Sequence, residues 1–250
     1  MQPTGGPTGE DVRPALATYE DLAKLLDHAV LRPDFSDEQI AEGCEIAKQY
    51  NVAAVIVRPS DVDLAKRWVA GSSVTLGSVI SYPEGSETTS VKLYATQDLL
   101  RRGAREIDTV INIGKMISRQ FQYVEMELQQ IAKACHDAGA ILKVTFENAY
   151  LTEDLKIIAC KICKRSGVDY ARTGTPFSPS AYSLDDIALM RRHLGERVKL
   201  KASAGIRTVD QVLELHRAGC DRVGTIATVA ILEAWKAELA RRAQPAQPAS

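Results

Sequence analysis

Short apolar runs recur along the chain at regular intervals, at residues 52–57, 75–80, 107–111, 141–146, 168–171, 198–202 and 222–224. Each has the length of a strand, and amphipathic stretches of helical period lie between them. The punctuation agrees with that alternation. Ser36 stands before Asp37, Glu38 and Gln39 as an N-cap ahead of an acidic first turn, and Ser183 and Thr208 precede acidic helical stretches in the same way. Gly71, Gly103, Gly139, Gly167 and Gly219 each fall where a helix should stop. Residues 27–31 supply an eighth strand ahead of the first long helix. Eight strand–helix units in about 215 residues predict an α/β fold, a single (β/α)8 TIM barrel over residues 15–242. An open doubly wound sheet is the other arrangement; regular spacing and the absence of a glycine-rich dinucleotide fingerprint favour the barrel. Residues 1–14, rich in Gly, Pro and Thr, and residues 243–250, with their Ala-Gln-Pro repeat, bury too little apolar surface to offset ordering and are expected to be disordered tails.

Composition narrows the function more than the fold. With 250 residues and 45% hydrophobic side chains the chain can bury one sizeable core. A formal charge of −1 gives no footprint for nucleic acid or acidic membranes. No apolar run reaches the roughly 18 residues of a membrane span, and the N-terminus lacks the layout of a signal peptide, so a cytoplasmic location is expected. Five scattered cysteines do not form a disulfide framework, and Cys160 and Cys163 sit in an amphipathic helix where packing explains them better than metal or redox chemistry. His136, His193 and His216 fall on separate helices without metal spacing, so neither a metal nor a cofactor is expected. His28 reads as a hydrogen-bonding core residue, and Trp68 and Trp235 as packing. Val124, Leu128, Ile131 and Cys135 form a core-facing stripe, with a homo-oligomer interface as the second reading.

In a barrel of this kind the active site lies at the C-terminal ends of the strands. Alternation then places Asp108 and Asn112 on one face of the fourth strand, Lys143, Thr145 and Glu147 on the fifth, Tyr170 and Arg172 on the sixth, and Lys199, Lys201 and Ser203 on the seventh. If those faces point inward, Asp108, Lys143, Arg172 and Lys201 converge, while Lys199 reads as a solvated strand end. Buried charges are uncommon unless paired, so the cluster is either a salt-bridged brace or a site whose surplus of positive charge lowers its lysines' pKa and frees a nucleophilic amine.

Several segments together resemble the 2-deoxyribose-5-phosphate aldolase family: Leu26-Asp27-His28, Tyr82-Pro83-Glu84-Gly85, Thr88-Thr89-Ser90-Val91-Lys92, the stretch from Glu106 through Asp108 to Gly114, Leu142-Lys143-Val144, and Lys201-Ala202-Ser203-Ala204-Gly205-Ile206-Arg207-Thr208. The resemblance implies a class I aldolase that works through a lysine imine. It maps the pKa-lowering lysine onto Lys201, the proton-relaying aspartate onto Asp108, the fifth-strand lysine onto Lys143, and the imine-forming lysine onto Arg172. A guanidinium effectively never sheds its proton and cannot form an imine. The departures continue at Ala29, where the family has Thr, at Arg58, Tyr82 and Glu84, and at Pro176, Ile226 and Ala227 in the two turns that hold a substrate phosphate. Thr173, Thr175, Ser203, Gly205, Gly224 and Thr225 remain as candidate substrate or phosphate contacts, with Arg58 or Arg172 as compensating charge.

Two functions fit. In one, the imine moves to Lys201, whose pKa Arg172 depresses, and the protein is an aldehyde-lyase acting on a small carbonyl or sugar phosphate. In the other, imine chemistry is gone, and the barrel is a repurposed enzyme or a non-catalytic binder of a small anion.

Overall fold

Strict alternation along the apolar runs separates two surfaces, and in the computed structural model, which describes residues 13–243, that alternation closes a barrel. Eight parallel strands pair in sequence order, and the eighth returns to the first. They are β1 (Leu26–Val30), β2 (Ala54–Val57), β3 (Thr75–Ile80), β4 (Glu106–Val110), β5 (Ile141–Thr145), β6 (Tyr170–Arg172), β7 (Lys199–Ser203) and β8 (Arg222–Thr225). Around them run α1 (Tyr19–Ala23), α2 (Asp37–Gln49), α3 (Val62–Val69), α4 (Thr89–Arg102), α5 (Ile113–Ile117), α6 (Phe121–Asp137), α7 (Glu153–Ser166), α8 (Leu184–Leu194), α9 (Val209–Arg217) and α10 (Thr228–Ala243). The expected tails lie largely outside the described residues. Two residues of the N-terminal one are held in place: Arg13 donates to the carbonyls of Gly219 and Cys220 and to Asp221, and His216 contacts the Pro14 carbonyl.

Helix ends follow the local chemistry. Ser36 and Thr208 make full capping boxes with Gln39 and Gln211, and Ser183 accepts from the Asp186 amide. Two strands, β2 and β6, start two residues later than their apolar runs suggest. The amides of Val52 and Val168 turn back to the carbonyls of Ala47 and Cys163, finishing the preceding helices instead of opening strands.

The outward residues of the strands build the main core. Leu26, Val55, Ile107, Leu142, Val144, Leu200 and Val223 pack against the helices in one continuous cluster. The stripe on α6 belongs to it, so Val124, Leu128, Ile131 and Cys135 are interior packing and not an interface. Cys160 and Cys163 are buried and unpaired, and burial pushes the Cys160 thiol up to about 12. Trp235 is buried with its indole N–H on the Thr18 carbonyl. Trp68 departs from the expectation: α3 packs through Val62, Ala65 and Val69, which leaves Trp68 on the outer side, 41% exposed. A fully buried ion pair, Lys92 with Glu127 at 2.7 Å, ties α4 to α6.

The inward residues divide the barrel's lumen into two unlike halves. Ala54, Ile56 and Val79 from β2 and β3 form a small apolar cluster, joined by Leu31 and Tyr82. Gly77 keeps that side tight, since a Cβ there would lie 2.5 Å from Ile56 Cδ1. Every other strand sends in at least one charge: Asp27, Glu106, Asp108, Lys143, Arg172, Lys201 and Arg222.

His28 faces outward from β1, and its Nδ1 meets Thr228 Oγ1 on α10 at 2.8 Å. Burial lowers its pKa to about 4. The folded state therefore resists protonating a group that titrates near 6.5 when unfolded. Its contribution is complete above that value and lost as pH falls toward 4, on the order of 3 kcal/mol. Urea denaturation at pH 7 and pH 4.5 should show this loss in the wild type and a smaller one in His28→Gln.

Candidate active site

Register brings the charges together. Asp108 lies opposite Lys143 across β4 and β5, and Arg172 lies opposite Lys201 across β6 and β7. Asp27, from β1, reaches across the lumen. Its Oδ2 is 2.5 Å from Lys143 Nζ and 2.7 Å from Lys201 Nζ, and its Oδ1 accepts from Arg222 at 2.7 Å. Asp108 Oδ2 accepts from Lys201 at 2.9 Å and from Arg172 Nη1 at 3.1 Å. Glu106 meets Lys143 at 2.5 Å. Beneath them the Tyr170 ring lies under Lys143, Lys199 and Arg222. Lys199 is exposed, as a solvated strand end should be.

Three of the four expected convergent residues therefore share one carboxylate, and Lys143 comes within 3.9 Å of it. The two lysines differ in state. For Lys143, burial alone would favour the neutral amine, but Asp27, Glu106 and Asp108 overcome it and raise the pKa above the ordinary range. The expectation that surplus positive charge would lower both lysines fails here, because three acids surround this one. For Lys201, burial is the largest effect. Asp108 and Asp27 oppose it, Lys143 and Arg172 reinforce it, and the pKa ends below that of an ordinary lysine. Burial works against ionisation of Asp27 and Asp108 as well, yet the cations around them hold both below the usual carboxylate range.

Above the cluster opens a cavity of about 280 Å³ at the C-terminal end of the barrel. Lys201, Asp27, Arg172 and Ser203 line its floor, with Gly205, Gly224 and Thr225 beside them, and Ser178, Ser180 and Arg207 complete the polar lining. Ala29, Leu31, Ile56, Pro176 and Ile226 give it an apolar side. Lys143 and Asp108 do not reach the cavity; they lie beneath its floor. Gly224 leaves room for the Lys201 side chain, since a Cβ there would come 3.3 Å from Lys201 Cε. Ser203 Oγ accepts from Arg172 Nε at 2.6 Å and donates to the Gly174 carbonyl at 2.6 Å, which fixes the guanidinium at the cavity wall. Ala204, also in the lining, holds a left-handed backbone with φ +80, a conformation that costs a residue with a Cβ of order 1–3 kcal/mol.

The remaining expected contacts fall elsewhere. Arg58 is not at the cavity: Nε pairs with Asp61 at 2.6 Å, and its other nitrogens donate to the carbonyls of Arg32, Pro33 and Phe35. Its charge is committed to holding the loop after β1. Thr173 accepts from the Ser203 amide, and Thr175 gives its amide to Glu147 and accepts from Phe177. Both shape the turn after β6 and neither lines the main cavity. Thr225 Oγ1 donates to the Ile206 carbonyl and accepts from the Ala227 amide, so that amide is already used. Sequence reasoning missed Asp27, Glu106 and Arg222 as cluster members. Glu106 lies two residues before Asp108 on the same inward face, and Asp27 and Arg222 sit on inward positions of the first and last strands, so parity carried the signal. Among the described residues no group of His, Cys, Asp and Glu is arranged to hold a metal, and no helix is long and apolar enough to cross a membrane.

A closed (β/α)8 barrel with a buried lysine at its C-terminal mouth, held between two carboxylates, is an architecture of the aldolase class. The relatives make the assignment specific. A model of the DeoC/LacD family aldolases matches residues 22–232. A deoxyribose-phosphate aldolase of Bacteroides thetaiotaomicron is 38% identical over 219 residues, covering 88% of this chain and 92% of that one. Among solved structures, a Coccidioides immitis protein described as a deoxyribose-phosphate aldolase superposes with a TM-score of 0.85 at 32% identity, over 90% of this chain and 88% of the other. The tetrameric deoxyribose phosphate aldolase of Aeropyrum pernix gives 0.83 at 26% identity, over 90% and 94%. The chain belongs to the DeoC/LacD aldolase family.

Lys143 neutralises Asp27 and Glu106 where water cannot. Lys143→Met should cost about 3–5 kcal/mol in urea denaturation, the range for stranding buried charge. A loss under 1 kcal/mol would show that the remaining cations suffice.

Proposed function

We propose that this protein is an aldolase that makes or breaks a carbon–carbon bond through an imine on Lys201. The observation that carries this reading is that Lys201 is the lysine that lines the cavity, and its pKa is lowered. Lys143 is walled off and held protonated. The family's imine position is occupied by Arg172, which cannot serve. The neutral Lys201 amine attacks a carbonyl carbon; the carbinolamine loses water to give an iminium. The iminium keeps the positive charge of the ammonium it replaces, so the contacts with Asp27 and Asp108 stabilise it in the same way. Loss of a proton from the adjacent carbon gives an enamine, which adds to an aldehyde; hydrolysis returns Lys201. Asp108, bonded to both Lys201 and Arg172, holds the amine in place and relays its proton, and Arg172 receives an anionic group of the substrate.

The relatives' names point to deoxyribose phosphate, but the mouth here supports a changed ligand. Pro176 has no amide hydrogen to offer, Ile226 is 62% exposed in the lining, and the Ala227 amide is taken by Thr225. A small carbonyl with an anionic group near the reacting carbon fits the charged floor beside Arg172, while an anion at the rim would meet Arg207.

Borohydride reduction in the presence of a panel of small carbonyl compounds, followed by peptide mapping, should label Lys201, and Lys201→Met should abolish the label. The rate should rise with pH through a midpoint below about 10.4, the ordinary lysine value. No label at any lysine would favour the other reading, a barrel that binds a small anion without imine chemistry.

A further inference from the structure

Building on the Lys201 imine, we infer that the carbonyl donor is a 2-oxo acid whose carboxylate is held by Arg172. Lys201 Nζ and Arg172 Nη1 donate to the same oxygen of Asp108, so the two cations stand side by side at the cavity floor. In a 2-oxo acid the carboxyl carbon is bonded directly to the carbon that becomes the imine, two bonds from Nζ. A carboxylate there falls next to the Arg172 guanidinium. A phosphate several bonds along the chain would lie away from that guanidinium, toward the mouth.

The guanidinium is prepared for this. Ser203 fixes Nε and Asp108 takes Nη1, while Nη2 makes no hydrogen bond to a carboxylate or carbonyl among the described residues. The Tyr82 ring lies 5.9 Å from its central carbon, and the buried Tyr82 hydroxyl faces the guanidinium. Arg172 is 3% exposed, so the contact is made away from bulk water, where a charge-assisted hydrogen bond is strongest.

The chemistry needs no further reagent. The Lys201 amine adds to the ketone carbon and water leaves. The methyl group next to the iminium gives up a proton to form the enamine. That carbon then bonds to the carbonyl carbon of an acceptor aldehyde, whose oxygen takes a proton. Hydrolysis frees a 4-hydroxy-2-oxo acid and restores the amine.

Reductive trapping with pyruvate and with acetaldehyde, at equal concentration on the full chain, separates the outcomes. Pyruvate should label Lys201 faster by about tenfold or more, the worth of one charge-assisted pairing. Arg172→Gln, with folding checked by circular dichroism, should reduce the pyruvate-to-acetaldehyde ratio by a similar factor. If acetaldehyde labels Lys201 as fast as or faster than pyruvate, the 2-oxo acid assignment falls and the imine reading stands. If neither labels it, both fall. The wild-type comparison alone decides this even if the variant does not fold.

Discussion

The structure depends on Asp27. This one carboxylate, fully buried, touches Lys143, Lys201 and Arg222 from a single side chain on the first strand. Ions of one sign are expensive to bury, and the barrel's lumen contains four cations. Asp27 joins them to Asp108 and Glu106 in one network, so that no member is left alone. Because β1 also closes the barrel against β8, the contact that neutralises the lumen spans the seam where the sheet meets itself.

That network produces two lysines of opposite character within one shared set of acids. Lys143, in contact with Asp27 and Glu106 and near Asp108, is held as a cation. Lys201, with two acids and a guanidinium close by, is the easier to deprotonate. The difference is a matter of neighbours. A permanently charged Arg172 on the adjacent strand raises the cost of a second positive charge beside it without competing for the same proton. The guanidinium at 172 thus favours a neutral amine at Lys201.

Much of this was legible from residue order. The strand and helix alternation, the capping residues and the inward parity of Asp108, Arg172 and Lys201 all follow from period and side-chain chemistry. What sequence did not reveal was competition for partners. Arg58 stands at a strand end, where an anion contact is reasonable, but three loop carbonyls and Asp61 take its donors. Thr173 and Thr175 have suitable hydroxyls that the turn itself uses. Lys143 was placed correctly as an inward residue, but its protonation depends on Glu106 and Asp27, which approach from different strands. Such outcomes are set by three-dimensional neighbours, and a one-dimensional pattern offers no count of them.

The division of the lumen into an apolar side at β2 and β3 and a charged side elsewhere gives the proposed Lys201 chemistry a stereochemical dimension. A planar enamine on Lys201 would stand between Ile56 and Leu31 on one hand and Arg172 and Ser203 on the other. Its two faces would meet different surroundings, and an aldehyde approaching with its oxygen toward a hydrogen-bond donor would favour the polar one. The handedness of a newly formed alcohol would then be written in the barrel's asymmetry, fixed by which strands carry methyl groups and which carry charge.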